Sequence, residues 1–280
     1  DIIPAGNKKT RDKVITREFV QKKGKPFNKF LVRRSVERVY NLGFFDDVNV
    51  RMLPGEQDPN NVIIEIDVLE HKTGTITLGA GYSKSDGLMG IIEFGEENFR
   101  GTGDKFKVHW EIGGKKKYKN YQISYLKPWI DSKGTSLGFS FFNREDEYTD
   151  YNEDGNEVAE YNKKSRGFNI SFGRQTGEYT RDYLTLESRK DSYKWTDESS
   201  GFRYDENAGT GTNWKNPRNF KDEHYVGNNF GRINSITWQK VYDSRDNIYD
   251  PTRGRRISYT AQWAGHGLGG DFDFYKFTAE

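Results

Sequence analysis

The sequence predicts two unlike parts. Residues 1–72 read as an α+β domain of order βααββ, and residues 73–280 as an all-β antiparallel transmembrane β-barrel of about ten strands, incomplete as it stands. Three observations carry this. Only 33% of residues are hydrophobic and the mean hydropathy is −0.97, yet 15% are aromatic, with 17 Tyr, 19 Phe and 6 Trp. Disordered chains are depleted in aromatics, so the apolar residues are spread over surfaces that need one greasy face. No stretch approaches the roughly 20 consecutive apolar residues of a membrane-spanning helix, which excludes a helical membrane protein. From Thr73 onward, apolar and polar residues alternate in the strand period.

In the first part Ile2-Ile3 ends a strand and Gly6-Asn7 turns. Thr10 is placed to cap a first helix, Arg11 to about Gln21, in which Val14, Ile15 and Phe19 recur at helical spacing. Asn28 is placed to cap a second helix with Phe27, Leu31, Val32, Val36 and Val39 on one face, and Gly43 stops it. Strands Phe45–Met52 and Val62–Val68 follow, joined by a loop with Pro54, Gly55 and Pro59. The expected core includes Val14, Ile15, Leu31, Val36, Val48, Ile64 and Ile66.

In the second part, Thr75–Tyr82 sets Ile76, Leu78, Ala80 and Tyr82 on one face with Thr and Gly on the other. Leu88-Gly90-Ile92-Phe94, Phe106-Val108-Trp110-Ile112, Tyr121-Ile123-Tyr125, Leu137-Phe139-Phe141, Phe168-Ile170-Phe172, Leu184-Leu186, Ile236-Trp238, Ile257-Tyr259-Ala261-Trp263 and Phe272-Phe274 repeat the pattern. A soluble sandwich also alternates. Here the opposite face is charged or glycine, many segments run about 9 to 11 residues, and aromatics cluster near their ends as in a membrane girdle. Ile76, Leu78, Val108, Trp110, Phe139, Ile170, Tyr259 and Trp263 are therefore expected to face lipid. Tight turns near Ser85-Asp86-Gly87 and Gly113-Gly114 contrast with a long polar stretch from Trp195 to Gly231, and are expected at opposite ends of the barrel.

Motifs for chemistry are weak. Zero cysteines remove disulfides, thiolate nucleophiles and cysteine metal sites. Asp150-Tyr151-Asn152-Glu153-Asp154-Gly155 matches the first half of a calcium loop, but the bidentate Glu of its last position is Tyr161, so a hydrated hairpin is expected. His71, His109, His224 and His266 show no metal-ligand spacing, and Gly79-Ala80-Gly81 lacks the helix a phosphate loop requires. No catalytic residue, metal or cofactor is expected. Residues 1–40 hold twelve Lys/Arg against four acids, on the outer faces of the two helices. That is a solvated face, or one attracted to anionic headgroups or an acidic partner; nucleic acid would want interleaved aromatics on a sheet or groove.

Further residues carry a family resemblance. Gly6-Asn7-x-x-Thr10, Asn41-Leu42-Gly43-Phe44-Phe45-x-x-Val48 and Val68-Leu69-Glu70 resemble a POTRA domain. Thr73-Gly74 through Gly79-Ala80-Gly81-Tyr82-Ser83, Glu97-Asn98-Phe99-Arg100-Gly101-Thr102-Gly103, and Asp243-Ser244-Arg245-Asp246 with Asp250-Pro251-Thr252-Arg253-Gly254 resemble the barrel of the BamA family of outer-membrane protein assembly factors. The resemblance implies the membrane-proximal POTRA domain, in the periplasm, plus a little over half of a barrel of about sixteen strands in the outer membrane. The family's Val-Arg-Gly-Phe motif is missing; Arg166-Gly167-Phe168 begins an alternating strand instead.

That resemblance implies a non-enzymatic protein that inserts other barrels into the membrane, with unfolded outer-membrane proteins, accessory assembly subunits and outer-membrane lipid as partners. Its substrate-strand site is the first barrel strand: Thr75, Ile76, Thr77, Leu78, Gly79, Ala80, Gly81 and Tyr82. An edge strand there templates an incoming strand, its glycines weakening closure. A POTRA edge at Val48, Asn49, Val50, Arg51 and Met52 is expected to add strands in the same way. The alternatives are a two-partner secretion transporter, a diffusion channel with a periplasmic tether and, weakest, an envelope enzyme.

Overall fold

The computed structural model describes residues 1–55, 61–83, 87–113, 118–151, 157–195, 230–245 and 251–280. The first part contains β1 (Ile2–Ala5), α1 (Asp12–Thr16), α2 (Lys29–Tyr40), β2 (Phe45–Pro54) and β3 (Val62–Glu70), in the expected βααββ order. The sheet order is β1-β3-β2, with β1 parallel and β2 antiparallel to β3. Its core joins Val14, Ile15 and Phe19 to Val32, Val39, Phe44, Phe45, Val48, Ile64, Ile66 and Val68, with Val36 packed against it.

Two helical expectations need correction. α1 is a single short turn with Arg11 at its N-cap and no side-chain cap. Thr10 is committed elsewhere: its amide donates to Glu70 at 2.6 Å and its hydroxyl accepts from Asn98 at 2.8 Å. Beyond Thr16 the chain continues in tighter i→i+3 turns, Glu18 N to Ile15 O and Phe19 N to Thr16 O, which still deliver Phe19 to the core. Asn28 does cap α2, accepting from Phe30 and Leu31 N–H, and Gly43 at φ +71° ends the turn that follows it.

The buried stripe of α2 is Val32, Ser35 and Val39, while Leu31 and Phe27 stay exposed. Ser35 occupies the place expected of Leu31 because the α1–α2 connection needs an acceptor there. Its hydroxyl accepts from Val20 N at 2.9 Å and Gln21 N at 3.3 Å and donates to Leu31 O at 2.7 Å.

Among the described residues ten antiparallel strands follow, each beside its sequence neighbours: β4 (Gly74–Ser83), β5 (Gly87–Phe99), β6 (Asp104–Gly113), β7 (Tyr118–Lys127), β8 (Ser136–Tyr151), β9 (Glu157–Gln175), β10 (Thr180–Trp195), β11 (Arg232–Asp243), β12 (Arg256–Ala264) and β13 (Phe274–Ala279). The sheet is open, with β4 and β13 as its edges. Ile76, Leu78, Trp110, Phe139, Tyr259 and Trp263 project from it exposed, Val108 and Ile170 less so. β8, β9 and β10 run 16, 19 and 16 residues, well beyond the expected span, because their alternation continues past the apolar stretch into charged pairs.

Strand alternation also corrects the turn assignment. Residues 84–86 and 114–117 lie outside the described residues, as does most of the long polar stretch, residues 196–229. The strand ends that flank all three nevertheless fall on one end of the sheet. The short connections of the other end are residues 100–103, 128–135 and 176–179, which the sequence reading did not separate. The calcium-like loop, residues 152–156, is also outside the described residues, between strands rather than helices.

Replacing Ser35 by Ala should strand two amides that are otherwise satisfied, at a cost of about 1–3 kcal/mol. Hydrogen exchange at Val20 and Gln21 should accelerate correspondingly; unchanged protection there would contradict the role given to Ser35.

Candidate functional site

The structure places the predicted substrate-strand residues together on β4, the terminal strand of the large sheet. Every residue from Gly74 to Tyr82 is exposed, Ile76, Leu78 and Tyr82 above 70%. Gly79 and Gly81 have ordinary extended backbone. A Cβ on Gly79 would meet Ile91 at 3.7 Å and one on Gly81 would meet Met89 at 4.0 Å, both comfortable contacts. No crowding demands glycine at either position. Their effect is on pairing strength, since glycine in a strand costs entropy and packs nothing.

The second predicted site, Val48 to Met52, lies on β2, also a sheet edge. Val48 is buried beneath the helices, Asn49, Arg51 and Met52 are exposed, and Val50 packs against the core. Arg51 is held on the face of the neighbouring strand by Glu65 at 3.2 Å and Asp67 at 2.7 Å. Its own edge is left open.

A third feature escaped the sequence reading: residues 8–17 dock on the β5–β6 turn. Asp1–Thr77, Glu93–Lys107 and Tyr125–Pro128 form one compact unit. Arg11 N donates to Gly101 O at 2.9 Å, and Asn98 bridges from the Thr10 hydroxyl to Gly103 N at 2.8 Å. Glu97 N donates to Thr73 O at 3.2 Å, the Thr73 hydroxyl donates to Glu96, and Lys9 reaches Glu96 at 3.0 Å. Glycine is required here. Gly101 has φ +72° and its Cβ would lie 1.8 Å from Lys9 O, while a Cβ on Gly103 would lie 2.5 Å from Arg17. The Gly-Thr-Gly of the turn was legible in sequence; its partner at residues 8–17 was not.

Glu70 gathers the other side of this junction, accepting from Lys8 N and Lys9 N at 2.8 Å as well as from Thr10. Burial alone would raise its pKa, but hydrogen bonds from the Thr10 hydroxyl and the amides of Lys9, Thr10 and Lys8 win, holding it below the ordinary 4.5. Arg17 is pushed down by burial, against the pull of Glu18 and Asp104.

Among the described residues no set of His and acids converges to hold a metal. His71 faces Asp46 at 3.2 Å, and His266 stacks on Tyr275 with ring centroids 4.8 Å apart. An open cleft of about 750 Å³ beside β1 is lined by Ile3, Lys22, Lys23, Lys25, Phe27 and Val62 among others, with Lys23 paired to Asp1 at 2.9 Å on its wall.

The two parts thus define a class: a small βααββ domain whose residues 8–17 dock on the β5–β6 turn of an antiparallel membrane sheet. Residues 98–280 match the family model described as the Omp85 superfamily domain, and residues 1–71 match the POTRA model, described as a surface antigen variable number repeat. The chain belongs to the Omp85 superfamily, with its sheet in the outer membrane and its POTRA domain in the periplasm. It is 29% identical over 176 residues to the outer membrane protein assembly factor BamA of Neisseria meningitidis, covering 63% of this chain and 22% of that protein. It is 25% identical to BamA of Nitratidesulfovibrio vulgaris, covering 100% of this chain and 31% of that protein. The crystal structure of BamA from Haemophilus ducreyi lacking POTRA domains 1–3 superposes with a TM-score of 0.66 at 21% identity, over 99% of this chain and 50% of that one.

Substituting Gly101 by Ala should open the junction, whereas Gly43→Ala, at φ +71° with nothing within 4 Å, should cost only the left-handed backbone, about 1–2 kcal/mol. Exchange of the Arg11 amide reports the difference, and equal effects would mean the turn is not tightly packed. Because Glu70 is depressed in the folded state, its contribution is present above pH 4.5 and is lost as pH falls through its folded pKa. The Glu70→Gln variant should lose that acid dependence of Lys8–Thr10 amide protection.

Proposed function

We propose that this chain is the POTRA-bearing, seam-forming part of an outer-membrane protein assembly factor, and that β4 templates incoming strands of substrate barrels. The observation that carries the reading is the state of β4: a terminal strand, exposed from Gly74 to Tyr82, weakened by two glycines that no contact requires. In hydrocarbon an edge strand must find partners for its unpaired N–H and C=O groups, and a nascent strand supplies them without catalysis. Unfolded outer-membrane proteins are then the substrates. The β2 edge at Val48 to Met52 offers accessory subunits or nascent chain the same backbone chemistry. Domain roles divide near residue 72, with the periplasmic part receiving and the sheet templating. The similarity to BamA proteins, whose names state outer-membrane assembly, supports this.

Disulfide trapping tests it. A cysteine replacing Thr77 should crosslink to cysteines in the strands of a substrate stalled during insertion. Efficient crosslinking within a monomer to a cysteine replacing Thr278, on the opposite edge strand β13, would show the ten strands closed on themselves and remove the templating edge.

A further inference from the structure

Cross-strand register on β8 to β11 reads as successive rows on the lipid-facing side. Leu137, Phe172, Leu184 and Trp238 share one row, and Phe139, Ile170, Leu186 and Ile236 the next. Phe141, Phe168, Ser188 and Asn234 form the third. The row below these pairs Arg174 with Asp182 and Asp182 with Lys240, and Lys240 sits 3.7 Å from Asp182. The row above pairs Asn143 with Arg166, Arg166 with Lys190, and Lys190 with Arg232.

That upper row is unusual. Three cations stand at consecutive cross-strand positions on one face, all exposed. Like charges directly opposite are destabilising, and among the described residues none of the three side-chain cations forms an ion pair; the Asp271 carboxylate accepts from the Arg232 backbone amide at 2.5 Å. Among the described residues, the Arg166 side chain donates to the Asn143 side-chain oxygen at 2.7 Å. Several other cations of the same sheet are matched: Lys164 to Glu145 at 3.7 Å, and Arg189 and Lys163 to Asp191 at 3.2 and 3.5 Å.

Height identifies the missing counter-charge. Eight residues of β9 separate the lower row at Arg174 from the upper row at Arg166. At about 3.3 Å per residue and a tilt near 40° this is roughly 20 Å, close to the apolar band of outer-membrane barrels, about 25 Å. The two charged rows therefore flank the hydrocarbon. Strand alternation puts the upper one at the end opposite to that where residue 73 enters, the outer-leaflet side.

We propose that Arg166, Lys190 and Arg232 form a binding row for the phosphates of anionic lipid headgroups in the outer leaflet. The inference rests on membership of the outer-membrane family and not on templating by β4, so the two stand or fall separately. Three adjacent cations at this end of the apolar band meet a layer of phosphates as Lys and Arg near an anionic surface do, with the guanidinium groups adding bidentate contacts. Their repulsion is relieved only when that layer is present.

The test is native mass spectrometry of the full chain in detergent, titrated with phosphatidylglycerol or with phosphatidylcholine of identical acyl chains. The natural sequence should retain the anionic lipid about 10- to 100-fold more tightly. The triple variant Arg166→Gln/Lys190→Gln/Arg232→Gln should lose that preference, while Lys133→Gln/Arg181→Gln at the other end should keep it. Single substitutions, each with the β-sheet signature confirmed by circular dichroism, should lose it stepwise if the triple variant does not fold. Persistence of the preference in the triple variant, or equal loss in the control, overturns the proposal. It also falls if the natural chain shows no preference but gains one in Asp271→Asn, since the row would then be paired within the chain.

Discussion

A backbone inside hydrocarbon has no water to bond, and every N–H and C=O must be satisfied by neighbouring strands. That constraint organises this chain. Among the described residues, β5 to β12 have a strand on each side, and β4 and β13 have one only. Because pairing is done by the backbone, side chains in the sheet serve only the face they stand on, apolar toward lipid and polar away from it.

The same demand for partners, now in water, shapes the junction at residues 8–17. Glu70 answers three consecutive amides at Lys8, Lys9 and Thr10, and Asn98 bonds both the Thr10 hydroxyl and Gly103 N. The base of β4 is held there through Thr73, whose carbonyl and hydroxyl are tied to Glu97 and Glu96. The exposed ion pair of Lys9 with Glu96 adds little, about 0–1 kcal/mol. Backbone and side-chain hydrogen bonds, with glycines that let two backbones approach, make this contact specific.

The strands were legible because their side-chain period is two and each has one lipid-facing side, so ten alternating runs gave ten strands. The POTRA core was legible for the same reason at helical period, with failures where a local pattern met a distant partner. Leu31 fits the helical stripe, yet Ser35 is buried because two amides of the preceding connection need its hydroxyl. Thr10 looks like a cap, but its bonds go to Glu70 and Asn98, 60 and 88 residues away. The turns were assigned by length, whereas only counting strand direction tells which end a turn occupies. The cation row was invisible for a related reason: Arg166, Lys190 and Arg232 are scattered in sequence and adjacent only through register.

Register also resolves how so polar a chain crosses a membrane. β9 is 19 residues long, but its lipid-facing apolar residues are just Phe168, Ile170 and Phe172, and β10 supplies Leu184 and Leu186. Half of each strand faces away from lipid, and long strands extend past the hydrocarbon into charged rows, so most strand residues carry no requirement to be apolar. A mean hydropathy of −0.97 is then compatible with a membrane sheet. The few lipid-facing positions must each contribute heavily, which favours aromatics: large rings cover more of a face per residue than aliphatic side chains do. The aromatic excess and the low hydropathy therefore share one cause, the small share of each strand that meets lipid.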